Sequence, residues 1–424
     1  MSQPADQLAF PVDIAQEVRD FYDRYPYPPP VDNLEKYQQH WHDLQRRRAD
    51  FHLFWPGRRY TEDQSILIAG CGTSQAAKHA LRWPEAHITG IDVSATSVRR
   101  TKDLKKKYNL ENLQVQQLSI EQVSDLGMTF DQIVCTGVLH HLPDPDAGVN
   151  ALRSVLKPDG AMQLMVYAPY GRTGIYMLQE FCRRIGAHAT DENIRDLIAA
   201  LGALPPGHPL QSLLAQAPDF RNEAGLADAL LHPQDRAYSV PQLFDFLERG
   251  GLSFGRWVRQ APYSLHCGVI AKIPQGPRMA RLPLPEQYAA IELFRGTMVR
   301  HSVIAYRSDS SAAAEVSFSG DAWRDYVPVQ MSDTICVQER LPAGAAAVLI
   351  NPTHTYKDLF FPIGPAEKLW FDAIDGVRNI GSIVETTKSP SNRTANFENA
   401  RTFFERLWWQ DQVVFDASQV PSAV

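Results

Sequence analysis

The run Ile66-Leu67-Ile68-Ala69 leads directly into Gly70-Cys71-Gly72-Thr73-Ser74, an apolar strand candidate entering a glycine-rich turn, with a helix candidate behind it near residues 75 to 82. Glycine suits a backbone that turns sharply and lets a ligand lie against it, and the free N–H groups at the start of the next helix attract an anion. Asp92 stands about 20 residues on, at the end of the next apolar run, in Gly90-Ile91-Asp92-Val93-Ser94. A carboxylate there can accept both hydroxyls of a ribose. Strand, glycine turn and spaced acid together predict a nucleoside-binding site. A dinucleotide fits less well, because Gly70-x-Gly72 is followed by Thr73, Ser74 and Gln75 and lacks the third glycine of a pyrophosphate cradle.

A second group with chemical potential is His140-His141, in the loop after Gln132-Ile133-Val134-Cys135. That position is the carboxyl edge of an open α/β sheet, where ligands bind, and histidine is the side chain whose unperturbed pKa lies nearest neutrality. One of the pair is a candidate general base or substrate contact; the competing reading is a stiff, hydrogen-bonded loop wall. Metal ligation is not expected, since adjacent side chains should diverge and no third ligand is spaced for zinc. Tyr170 and Arg172, in Tyr167-Ala168-Pro169-Tyr170-Gly171-Arg172, reach the same edge after the next strand and are candidate substrate contacts.

The elements that must position these residues follow from the pattern. Short apolar runs at 66–69, 87–91, 113–115, 132–135 and 161–166 alternate with helix candidates at 75–82, 94–107 and 146–156, the signature of βαβ units around a parallel sheet. Residues 1–60 form a helical preface, with Ile14, Val18 and Tyr22 at helical spacing before the proline-dense Tyr25–Pro30. A helical insertion is expected over 171–237 and a further helix over 241–250. Ser253–Val258 and Ser264–Ile273 are then expected as two final antiparallel strands, closing a domain over 61–275. Beyond it, strand-like runs at 303–306, 314–318, 333–338 and 346–350 predict a β-rich region to 362. The order helix, turn, helix, helix, strand over 363–424 looks like a winged helix.

The segment from Ser65 to Ala168 resembles the class I S-adenosylmethionine-dependent methyltransferases. Ile68-Ala69-Gly70-Cys71-Gly72 is similar to the family's first motif and Gly90-Ile91-Asp92-Val93-Ser94 to its second. Phe130 to Leu142 is similar to the fourth strand and its loop, and Leu156-Lys157-Pro158-Asp159-Gly160 to the turn before the fifth strand. The resemblance implies an α/β, Rossmann-like seven-stranded sheet with S-adenosylmethionine as cofactor. It places Gly70, Cys71 and Gly72 against the methionyl end, Asp92 on the ribose, Val93 and Ile120 near the adenine, and Gly137 beside the donor. Two departures are present: Ser74 replaces a third glycine, and Ser119-Ile120 stands where an aspartate commonly holds the adenine amino group, a contact the Ser119 hydroxyl could make. The resemblance also implies an N-terminal lid, with Tyr25 and Tyr27 facing the pocket. A cap segment around Leu230–Pro241 would bring His232, Asp235, Arg236 and Tyr238 to the acceptor, or would form a joint holding the insertion to the core.

Composition limits the remaining choices. The 424 residues carry 42 Lys plus Arg against 48 Asp plus Glu, a net charge of −6, so no positive field invites nucleic acid. Over residues 365–424 six cations face eight acids, which favours a protein-interaction or self-association module over DNA binding. Five scattered cysteines without a CxxC pair suit a reducing cytoplasm, and no apolar stretch of about 18 residues suggests a membrane span. The expected function is methyl transfer to an N or O acceptor, a small molecule or a protein side chain. The alternatives are a catalytically silent cofactor-binding regulator and an NAD-dependent oxidoreductase on the same sheet.

Overall fold

The computed structural model describes residues 14–216, 222–310, 316–354, 356–387 and 393–420. The apolar runs form one seven-stranded sheet from β1 (Ser65–Ala69), β2 (His87–Asp92), β3 (Leu113–Gln117), β4 (Phe130–Thr136), β5 (Leu156–Tyr167), β6 (Leu252–Trp257) and β7 (Arg300–Arg307). Their order is β3-β2-β1-β4-β5-β7-β6; β1 to β5 are parallel, and β7 is antiparallel to both its neighbours. Ile66, Leu67, Ile68, Ile133, Val303, Ile304 and Ala305 are completely buried. Strands covered on both faces need apolar residues at every position, which is why these segments read as unbroken runs rather than alternating ones.

Two helices beside the sheet form where the sequence caps them. Ser94 accepts from the Ser97 N–H to start α5 (Ala95–Lys107), and Asp144 accepts from Ala147 N–H to start α6 (Pro145–Ser154), with Pro145 in its first turn. A Cβ on Gly90 of β2 would stand 2.8 Å from Ala76 Cβ. Glycine on the strand therefore lets α4 (Gln75–Arg82) lie close to the sheet. Strand order reverses between β1 and β4, and the loops leaving these two strands open a crevice at the carboxyl edge.

Two expectations about the end of the sheet are corrected. Ser264–Ile273 is not a strand: Gly268 adopts φ +60°, the Ser264 hydroxyl accepts from His266 N–H, and the segment folds into turns. The seventh strand comes after a helix at Leu284–Arg295, so the sheet extends past residue 275, and the 303–306 run belongs to it rather than to the region that follows. A run apolar enough to be buried on both faces is stable between β5 and β6, and a glycine turn is not.

Among the described residues four helices form the insertion: α7 (Thr173–Arg184), α8 (Asp191–Gly202), α9 (Gln211–Gln216) and α10 (Glu223–Leu231). They share one core with Phe21 and Tyr25 of the N-terminal region. Only α1 (Ile14–Arg24) and the Tyr25–Pro30 stretch serve as a cover. Within the preface, α2 (Glu35–Trp41) packs on α4, and α3 (Leu44–Phe54) packs on a strand pair from the C-terminal region.

The C-terminal region has its own core, with Trp323, Phe361, Phe403, Phe404 and Phe415 fully buried. It contains a three-stranded antiparallel sheet (335–337, 347–350, 361–363) and helices at Pro365–Asp372, Ile380–Thr386 and Arg393–Trp409. Residues 314–315 lie outside the described residues, and 316–318 is not strand. The final strand Val413–Asp416 pairs with Val327–Gln330, upstream of the helices, so among the described residues the hairpin of a wing is absent. The basic run Arg46-Arg47-Arg48 is paired. Arg46 meets Asp333 and Arg48 reaches Asp416 and the Gly376 carbonyl, fastening the C-terminal region to α3, while Arg47 meets Glu62.

Candidate active site

The crevice holds a cavity of about 280 Å³ whose cofactor side is made by the two signature loops. Gly70 (φ +72°) and Gly72 (φ +53°) take left-handed conformations that disfavour a side chain, and a Cβ on Gly70 would lie 2.3 Å from Val138 Cγ2. Asp92 accepts from Gly72 N–H at 2.8 Å and Ser94 N–H at 2.9 Å, so the acid fixes the glycine turn while its remaining lone pairs face the cavity. Burial raises its pKa, against the lowering effect of these bonds. Val93, Leu118 and Ile120 form an apolar flank beside Asp92, and Gly137 borders the opposite end. This set fits a nucleoside with an attached anionic tail: ribose on Asp92, a flat base on the apolar flank, the tail along Gly70–Gly72.

Two cofactor contacts expected from the sequence are corrected. Cys71 is buried in the core below the turn, packed with Ala76 and Ile88, and offers the cavity no side chain. Ser119 does not line the cavity; its hydroxyl donates to Gln122 Oε1 at 3.2 Å, where it starts the turn carrying Ile120.

The cover closes over this edge. Val18, Tyr22, Tyr27 and Pro28 line the cavity, and the Tyr27 carbonyl and Pro28 lie against Gly72. Asp23 accepts from Ser94 Oγ at 2.7 Å and Thr96 N–H at 3.0 Å, while Thr73 Oγ1 donates to the Pro28 carbonyl at 2.9 Å. An acid on α1 thus caps the helix that follows the ribose loop, coupling cover and cofactor edge.

The facing wall is built from residues far apart in the chain. Asp228 of α10 accepts from Tyr22 Oη at 3.0 Å and Tyr167 Oη at 3.3 Å, and burial raises its pKa. The Arg172 guanidinium lies 3.5 Å from the Tyr167 ring centroid and pairs with Asp235 Oδ2 at 3.3 Å. His140 and His141 do not diverge: the tight turn Leu139–His141 packs both rings on Tyr167, with their centroids 4.1 Å apart. His232 packs on His141 at 3.9 Å. The backbone of one residue, Gln234, sets both tautomers. His141 Nδ1–H donates to the Gln234 carbonyl at 2.6 Å, leaving a lone pair on Nε2, whereas His232 Nδ1 accepts from Gln234 N–H at 3.0 Å, leaving the proton on Nε2. Burial holds His140 and His232 neutral, each pKa well below the usual value.

Of the expected catalytic pair, His141 lines the cavity and His140 lies behind it. Among the substrate candidates, Tyr27 and Arg172 reach the cavity and His232 joins the wall around it. The others do not. Tyr25 donates to Asp191 at 2.9 Å and ties α1 to α8; Tyr170 is 41% exposed; Arg236 donates to the Pro143 carbonyl; Tyr238 stacks on Phe246. The segment around 232–238 therefore acts partly as a joint. Asp228, Gln75 and Thr136 were not singled out by the sequence. For Asp228 a signal exists, an acid inside the apolar stretch Gly225-Leu226-Ala227-Asp228-Ala229-Leu230. Gln75 and Thr136, which bond each other at 2.9 Å, carry none.

The Methyltransferase domain family model matches residues 67–162. A protein of Synechococcus sp. is 33% identical over 258 residues, covering 58% of this chain and 60% of its own. The ubiquinone biosynthesis O-methyltransferase of Neisseria meningitidis serogroup C is 28% identical over 123 residues, 28% of this chain and 49% of the enzyme. The chain thus spans about half to three fifths of these relatives. In solved structures, PKMT2 from Rickettsia typhi has the same fold at a TM-score of 0.64, with 14% identity, over 92% of this chain and 77% of its own. The signature motifs on β1, β2 and β4, the seven-stranded order and the family match agree: residues 67–162 form a methyltransferase domain, on the fold of the class I S-adenosylmethionine-dependent methyltransferases.

Proposed function

We propose that this chain transfers the methyl group of S-adenosylmethionine to an N or O acceptor seated against Tyr22, His141, Arg172 and Asp228. The cofactor supplies an electrophilic methyl on sulfur, so the protein has to align an acceptor behind it and exclude water. As the acceptor–methyl bond forms, the sulfur–methyl bond breaks and the acceptor's proton leaves. The His141 Nε2 lone pair and the Asp228 carboxylate are the proton-accepting groups on that wall. The observation that carries the reading is that Asp92 and its glycine turn share one cavity with this polar wall. The cover formed by α1 supports it, because ordered closure removes water from the transfer.

The ubiquinone and malonyl-carrier O-methyltransferases among the relatives favour an oxygen acceptor. Among the described residues no helix is long and apolar enough to cross a membrane. Free cysteines at all five positions suit a cytoplasmic setting. The acidic C-terminal region is assigned to a protein partner or self-association, without nucleic acid.

Calorimetry with S-adenosylhomocysteine tests the cofactor assignment. Asp92→Ala removes charged hydrogen bonds of about 1.5–3 kcal/mol and should weaken binding about ten- to a hundredfold. Unchanged affinity in the folded variant would remove the ribose from Asp92.

A further inference from the structure

Five buried polar atoms on the acceptor wall have no hydrogen-bond partner among the described residues: both ring nitrogens of His140, Nε2 of His141, Nε2 of His232 and Oδ1 of Asp235. Buried polar groups are ordinarily paired, so such a cluster marks a ligand. Ligating atoms of His140, His141 and Asp235 all lie within 4.8 Å of one another. Their chemistry matches what a cation needs. The Gln234 carbonyl holds the proton on His141 Nδ1 and turns a bare lone pair inward. Arg172 and Gln179 both donate to Asp235 Oδ2, at 3.3 and 3.0 Å, leaving Oδ1 free. His140 is completely buried, and neither of its ring nitrogens has a partner among the described residues. Outer partners that orient an imidazole and a carboxylate in this way are the usual surroundings of metal ligands.

We propose that His140, His141 and Asp235 bind a divalent first-row transition metal ion, with zinc(II) as the reference occupant. Two imidazoles and one carboxylate are a common donor set for such ions, and three protein ligands leave a position open for water or substrate. Bonds of zinc length would draw the three atoms to about 3.4 Å apart. The neighbouring set His141, Asp228 and His232 also meets the distance criterion but is chemically poorer. The Gln234 N–H leaves His232 Nε2 protonated, and both Asp228 oxygens already accept from tyrosines. His232 Nε2–H is instead a donor beside the open position. His141 faces the cavity, so a group on the metal's open position lies on the acceptor side. Given the methyl-transfer reading, the ion selects an acceptor oxygen, and Asp228 remains the proton acceptor once the His141 lone pair is occupied.

The full chain, stripped with chelator, is titrated with zinc(II) by calorimetry and with cobalt(II) by visible absorption, and S-adenosylhomocysteine binding is measured on the same samples. We expect one zinc per chain retained after desalting and cobalt bands of a low-coordinate nitrogen and oxygen set. His141→Gln and Asp235→Asn should each weaken the metal by about 10- to 100-fold or more, while retained S-adenosylhomocysteine binding shows that both variants fold. Folded protein that keeps no zinc and leaves cobalt with its buffer spectrum overturns the site. So does a zinc bound with parental affinity by both variants. Zinc bound as expected without S-adenosylhomocysteine binding leaves the metal site standing and sinks the cofactor reading instead.

Discussion

The two sides of the cavity treat their polar groups in opposite ways. On the cofactor side Asp92 accepts from Gly72 and Ser94, Thr101 Oγ1 donates to the Gly72 carbonyl at 2.9 Å, and Gln75 bonds Thr136. These bonds are made within the protein, so the edge is built before a ligand arrives. On the acceptor wall, ring nitrogens and a carboxylate oxygen are buried without partners. Each such atom costs about 1–3 kcal/mol. The difference teaches that one side spends sequence on preorganisation, and the other gives up stability for groups that only a ligand completes.

The comparison can be broken most strongly through function. Asp228→Asn should lower labelled-methyl incorporation from cell extract about 100-fold, with S-adenosylhomocysteine binding retained. Parental incorporation would detach the wall from the reaction. Next in size is a gain in stability. His140→Leu removes two unpaired buried nitrogens and should stabilise the chelator-treated protein by about 1–3 kcal/mol in denaturant unfolding. Destabilisation would show that the imidazole has internal partners.

Acid should act through the buried neutral histidines, and His79 lies away from the wall. Burial lowers the pKa of His79 to about 3, with Nδ1 2.9 Å from the Gln75 carbonyl on the first turn of α4. His79 stays neutral in the fold while the unfolded chain takes up a proton near 6.5, so the unfolded state binds more protons below that pH and stability falls on acidification. Between about pH 7.5 and about pH 5.5 the loss from this residue is about 1.4 kcal/mol. His79→Gln should lose that much less than the parent over the same range, and equal slopes would contradict a neutral buried ring. The smallest effect belongs to the cover. Asp23→Ala removes the acceptor for Thr96 N–H at the start of α5 and should cost about 1 kcal/mol, and it should speed S-adenosylhomocysteine release in stopped-flow measurements. An unchanged release rate would uncouple α1 from the cofactor edge.

The sequence was informative where chemistry and chain neighbourhood coincide. Gly70, Gly72, Asp92, Val93 and Gly137 lie on loops whose flanking strands announce themselves as apolar runs, and the structure lines one cavity with all five. The same logic misplaced Cys71 and Ser119, since neighbours in a motif need not point the same way. It misread Ser264–Ile273 because the competing strand lies beyond a helix, where burial between β5 and β6 decided the matter.

Composition, the βαβ rhythm and the motif spacing determined the fold family and the cofactor edge, because backbone conformation at glycines and strand ends is set by local sequence. The sequence offered His141, Arg172 and His232 for the acceptor wall, and tertiary structure decided how it assembles. Tyr22, His141, Tyr167, Arg172, Asp228 and Asp235 come from the cover, the sheet edge and the insertion, and only packing brings them within hydrogen-bond or ring contact. The tautomers of His141 and His232 depend on the backbone N–H and carbonyl of Gln234, 93 residues from His141 in the chain. Such contacts between distant segments follow from the closure of the insertion over the sheet, which local propensity does not encode.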